Sequence, residues 1–264
     1  MNWTEVDAES SILWIQSKLA SVGGSNDTDW LGNRLNCCLP AGYEVYIKVF
    51  HEVLEDLTVQ DRNVTWDEAE ESSSISDDAL ASIISNTTLE RSSPEDGFPS
   101  RRVRWAELAA RYGLKFHPEI NVRSFSRKFP RGSWPRYLVG PTEGSLSPEE
   151  FRRLLTVLQD HASADEVFMY WDLPMEVQGK DSYCIAGELD SPLEMAWPPG
   201  VDSTPSYVWP ASRTWIVHTN YDLSFTLVAT NASSAYDLLS DDSLETIKIP
   251  YSARIDRFSD TVNG

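Results

Sequence analysis

An α+β fold is expected, with a mixed, mainly antiparallel sheet of about five or six strands and helices packed on it. Three features of the sequence predict it. Residues 206–230 form the densest run of aromatic and β-branched residues, other short segments alternate similarly, and separate stretches space apolar residues as a helix does. The central run reads as a β-hairpin. Trp215–Thr219 is one arm, Asn220, Tyr221 and Asp222 are turn-tolerant, and Leu223–Thr230 returns with Leu223, Phe225 and Leu227 on one side. A hairpin this apolar must be covered, and two amphipathic helices are expected to cover it.

In chain order, Ile12, Leu13, Ile15 and Leu19, with Trp14 among them, make a short helical stripe. Asp7 or Ser10 is available to cap it and Gly23-Gly24 to stop it. Leu39–Val53 alternates and predicts one strand. Between Glu52 and Ser100 the balance turns to 13 acids against Arg62 and Arg91. Such a stretch cannot bury enough apolar surface to offset its ordering entropy, so a disordered acidic insertion is expected over 54–100, with a helical turn or two at 79–84.

The sign then reverses. Ten bases and two acids lie between Arg101 and Arg136, and a short helix, Trp105 to Tyr112, is expected to end at Gly113. The rest of that basic strip reads as irregular, followed by a short strand at 136–139. Ser147-Pro148-Glu149-Glu150 is a strong helix start, with Phe151, Leu154, Leu155 and Leu158 as the buried stripe and an end near His161. Strands are expected at 167–171 and 181–189, a loop at 197–205, a helix at 233–239, a terminal strand or extended tail at 244–251 and a flexible tail at 252–264. There are too few elements for two independent cores, so a single domain is expected, with its core over about 36–251.

The net charge of −19 opposes nucleic-acid or anionic-membrane binding and permits a basic protein partner. No apolar run is long enough to span a bilayer, and acids stand where a secretory leader would carry positive charge. Three cysteines, Cys37, Cys38 and Cys184, include a vicinal pair and suit a reducing compartment. A cytoplasmic location is therefore expected.

Several blocks together resemble a family of bacterial, largely actinobacterial, cytoplasmic proteins without an assigned activity. They are Leu39-Pro40 before Tyr43–His51; Val103–Ala109 with Gly113 and His117-Pro118; Gly140–Gly144; Phe168–Asp172; and Trp209-Pro210, Arg213, Trp215 and Val217 with Asp222 and Thr226–Val228. The resemblance covers residues 39–240 and implies no chemistry. Two departures are the acidic stretch after His51 and the pair His218 and Asn220. Leu39-Pro40 before Tyr43 is also similar to a step in SUKH-type immunity proteins, which implies a partner-neutralising role.

The chemistry is sparse. Four histidines, His51, His117, His161 and His218, share no short motif, although His51 or His117 could pair with Asp172 or Asp222 for proton transfer. Zinc-ligand spacing, phosphate-loop and nucleophile-elbow motifs are missing, so no metal or cofactor is expected. The basic strip reads either as an anion-binding patch or as a set of ion pairs with the acidic body. Trp209, Arg213, Trp215 and Asp222 form the most suggestive group: Arg213 could cross an aromatic face or fork to Asp222. The function expected first is an interaction module, immunity-like or regulatory, that meets a basic partner through its acidic surface. The alternative is a small-molecule-binding protein or hydrolase with a pocket lined by Trp105, His117, Trp209 and Arg213, with His51, Trp215 and Asp222 as further candidates.

Overall fold

The computed structural model describes residues 3–20, 33–68, 99–161, 165–177, 179–189, 200–201 and 203–264, with side chains omitted over 173–177. It is α+β, but its strands outnumber the expectation and all pair antiparallel. An eight-stranded sheet runs in the order β1-β7-β6-β8-β9-β10-β2-β11, and a second, three-stranded sheet runs β4-β3-β5. The strands are β1 Thr4–Glu5, β2 Val45–Phe50, β3 Val53–Asp56, β4 Ser100–Val103, β5 Leu138–Val139, β6 Glu166–Val177, β7 Lys180–Glu188, β8 Tyr207–Pro210, β9 Ile216–Thr219, β10 Phe225–Thr230 and β11 Glu245–Lys248. The helices are α1 Ala8–Gln16, α2 Trp105–Arg111, α3 Val122–Ser126, α4 Pro148–Gln159 and α5 Ala232–Ser240.

The expected hairpin is β9–β10, with Val217 opposite Val228. It lies inside the sheet, because Tyr207–Pro210 is a further strand pairing with both β6 and β9. Period-two alternation sorts its residues to two faces. Val45, Ile47, Val49, Val217 and Val228 join Phe151, Leu154, Leu158 and Leu238 in one core under α4 and α5. Tyr46, Ile216, Leu227 and Ala229 join Ile12, Ile15 and Leu39 in another, under α1 and the chain around residues 35–39. Both predicted covering helices are therefore present, and α1 closes the opposite face, with Leu13 turned to solvent.

Local chemistry sets the helix starts. Asp7 accepts from Ser10 N at 2.8 Å, Ser147 from Glu150 N at 3.3 Å and Asn231 from Ser234 N at 2.9 Å. Helix α2 has no side-chain cap of its own. The Glu245 carboxylate of β11 supplies it, accepting from Trp105 N at 2.6 Å and Ala106 N at 2.9 Å.

Four expectations need correction. Leu39–Val53 is not one strand: the pairing breaks at His51-Glu52, where β2 leaves the large sheet and β3 enters the small one. The acidic insertion does not begin at 54, since Val53–Asp56 pairs with β4 and β5; residues 69–98, and the turn expected at 79–84, lie outside the described residues. The basic strip is less irregular than expected, for Asn121 and Ser124 form a reciprocal capping box at the start of α3. Finally, residues 252–264 are not a free tail. Ala253, Ile255, Asp256, Ser259 and Asp260 are buried, so the core extends past 251, and it begins before 36 with Ile12 and Ile15. Residues 190–199 of the expected loop also lie outside the described residues.

One glycine ties the loop before α4 to the hairpin turn. Gly144 N donates to Leu223 O at 2.9 Å with φ of +73°, and a Cβ there would sit 2.7 Å from Tyr221 Cα. Gly144→Ala is expected to lower stability by about 1–2 kcal/mol, measured as a fall in the urea midpoint. An unchanged midpoint would show that the loop does not clamp the turn.

Candidate functional site

The predicted site residues do not share one pocket. Trp105, at the start of α2, is buried with Phe50, Leu108 and Phe125, and its indole donates to His51 O at 2.8 Å. Trp209 and Trp215 lie on opposite faces of the large sheet: Trp209 stacks on Phe168 at 5.5 Å, and Trp215 enters the core under α4 and α5. Asp222 lies in the β9–β10 turn, its N–H bonded to Asn220 Oδ1 at 2.9 Å.

The histidines are bonded to groups other than the expected aspartates. His51 Nδ1–H donates to Thr142 O at 2.6 Å, which leaves Nε2 to accept from the Thr226 hydroxyl at 3.0 Å. Burial pushes its pKa down to about 4, so it stays neutral and fixed. His218 is likewise pushed down to about 4 by burial, with Nδ1 on Ser206 O at 2.9 Å. His117 meets Asp260 at 3.0 Å, not Asp172 or Asp222. Asp260 also accepts from the Ser124 hydroxyl and the Asn263 N–H, and these bonds dock the terminal segment. The Cys184 thiol is pushed up to about 11 by burial and Cys38 higher, so neither is poised as a thiolate.

Four of the basic strip's ten bases, Arg101, Arg102, Arg104 and Arg111, are committed to the body of the protein. Arg101 and Arg111 reach the buried Glu55 at 2.7 Å, Arg62 joins them at 3.2 Å, and Glu107 bridges Arg101 and Arg111. Arg102 pairs with the buried Glu150, whose carboxyl burial raises to about 7 although Arg102 opposes the shift. Arg104 donates to Asp242 O and Leu244 O. These are the ion pairs with the acidic body that one reading of the strip anticipated.

Arg213 is different. It lines a cleft of about 390 Å³ with Trp14, Lys18, Pro40, Gly42, Tyr43 and Glu44, and none of Trp105, His117 or Trp209 borders it. Its guanidinium crosses an aromatic face, as its position suggested, but the ring is Trp14, with Cζ 4.3 Å from the centroid. Trp209 backs that ring edge-on at 6.0 Å. The Tyr43 hydroxyl donates to Arg213 O at 3.1 Å, and burial pushes that phenol up to about 12. Sequence reasoning missed Trp14 because that residue read as part of a helical apolar stripe, and it did not single out Lys18. The signal that could have found them is their four-residue spacing within the predicted helix, although α1 itself ends at Gln16 and Lys18 lies in the turn after it.

None of the protein-family models matches this chain, and no curated protein or solved structure matches it either. Among the described residues no helix is long and apolar enough to cross a membrane, and no group of three His, Cys, Asp or Glu could hold a metal ion.

Proposed function

We propose that this chain works by binding, as an interaction module, immunity-like or regulatory, whose acidic surface meets a basic protein partner. The outer face of α5 carries the reading. Tyr236 and Leu239, one helical turn apart, are 72% and 42% exposed, while Ala235 and Leu238 bury the other side of the helix. Asp237, half exposed, meets His161 at 2.6 Å, Asp241 pairs with Arg153, and Asp242 stands exposed after the last turn. A tyrosine and a leucine standing in water beside carboxylates have the composition of an interface centre with a polar rim. In a chain of net charge −19 the complementary surface is basic.

The test compares the wild type with a Tyr236→Ala/Leu239→Ser double variant, each immobilised and exposed to extract of the cells that make it. Both positions are exposed, so stability should change by no more than about 0.5 kcal/mol. A basic protein retained by the wild type at about 0.15 M salt, lost by the variant, and binding again when purified is the expected result. Equal retention by both forms would sink the reading. The Arg213 cleft favours a second reading, small-molecule binding.

A further inference from the structure

We infer that the cleft bounded by Trp14, Lys18, Tyr43 and Arg213 binds a small organic anion, a carboxylate or phosphate on a compact apolar body. The inference rests on the small-molecule reading and names its ligand class. Lys18 Nζ lies 5.6 Å and Arg213 Cζ 4.3 Å from the centroid of one and the same indole ring. Each is attracted by the ring's negative face, yet the two cations repel one another. Among the described residues neither makes an ion pair. The cleft's one carboxylate, Glu44, is engaged elsewhere, accepting from Ala232 N at the start of α5 at 3.0 Å. Two cations against one carboxylate leave the concavity net positive in a chain of net charge −19, which marks it as a place where an anion gains.

The backbone holds this arrangement against its own preference. Arg213 has φ of +57°, a left-handed conformation that is strained for a side chain with a Cβ. Its N–H donates to Pro210 O at 2.8 Å and its carbonyl accepts from Tyr43, so both ends of the strained residue are pinned. Strain kept by such over-determination is a feature of ligand clamps. Trp14 Nε1, buried in the cleft wall, has no acceptor among the described residues. Pro40, Gly42 and the Tyr43 ring leave room beside the cations for an apolar body, and the volume suits a small ligand.

The probes are phenyl phosphate and benzoate, with benzyl alcohol as the neutral counterpart and sodium chloride as the ionic control. Binding is followed by NMR at the Gly42 amide and at the Trp14 indole N–H, the latter assigned with Trp14→Phe. At least one anionic probe should shift both signals saturably with a Kd of about 10 μM–1 mM, while benzyl alcohol and chloride do not. Arg213→Asn, which tolerates positive φ and so preserves the turn, should weaken binding about tenfold, and Lys18→Gln severalfold. Equal binding of benzyl alcohol would overturn the anion class while leaving a small-molecule site standing. An Arg213→Asn variant that binds as well as the wild type would overturn the assigned site. No saturation by any probe up to about 10 mM would overturn the inference and the small-molecule reading together.

Discussion

Replacing Glu55 by alanine is expected to destabilise the protein by about 3 kcal/mol, read from urea denaturation at pH 7. Glu55 is 1% exposed and takes hydrogen bonds from Arg62, Arg101 and Arg111. Removing it leaves three guanidiniums converging on a hole, with Arg111 also stacked near Tyr137. The value sits at the low end for a broken buried pair because Arg62 and Arg101 are about half exposed and rehydrate cheaply. Burial alone would raise the Glu55 pKa, but the hydrogen bonds from Arg101 and Arg111 outweigh it and hold the carboxyl below its usual range. Its contribution is therefore complete above the unfolded-state value and is lost as the pH falls through the folded one. The wild-type advantage over Glu55→Ala should shrink in acid. A loss below about 1 kcal/mol at pH 7 would place the cluster with ordinary surface ion pairs.

Lys48 should produce a pH response of the same sign, in a higher pH window. It sits inside β2 at 2% exposure, its ammonium donating to Ile120 O at 2.6 Å and Pro118 O at 3.2 Å above the rings of Phe225 and Phe50. Burial pulls its pKa from 10.5 down to about 7, more strongly than Asp260 and Glu119 hold it up. Between those two values the unfolded chain carries a proton that the folded chain has released, so stability rises with pH across that window. From pH 7 to pH 9 the wild type should gain about 2 kcal/mol relative to Lys48→Met, the difference removing the contributions of buried cysteines and tyrosines common to both. Parallel curves for the two proteins over that range would show that Lys48 titrates normally.

The sequence suggested ion pairs between the basic strip and the acidic body but could not name the partners in either cluster, and the reason is distance along the chain. Glu55 and Arg101 are 46 residues apart, and Lys48 and Ile120 are 72 apart. Glu55 read as one acid among thirteen, and Lys48 as the polar beat of an alternating strand. What was legible is what local pattern encodes: the β9–β10 hairpin through its β-branched residues, α4 through Ser147-Pro148, and α5 through its apolar spacing. The break at His51-Glu52 was hidden because the alternation runs through it while the hydrogen-bond partners change. Of the site, Arg213 and its aromatic contact were anticipated, but the ring belongs to a helix some two hundred residues earlier, which no local spacing could reveal.

The strand order also constrains how the chain can be made. Among the described strands β2 pairs only with β10 and β11, and His51 bonds to Thr226, 175 residues later. At about 5–20 residues per second, a ribosome exposes Val45–Phe50 for about 10–35 s before the first strand that can pair with it appears. During that interval an apolar segment with free edges is open to wrong pairing, and the buried ammonium in its middle, which has no apolar mate to recruit, is placed to discourage it.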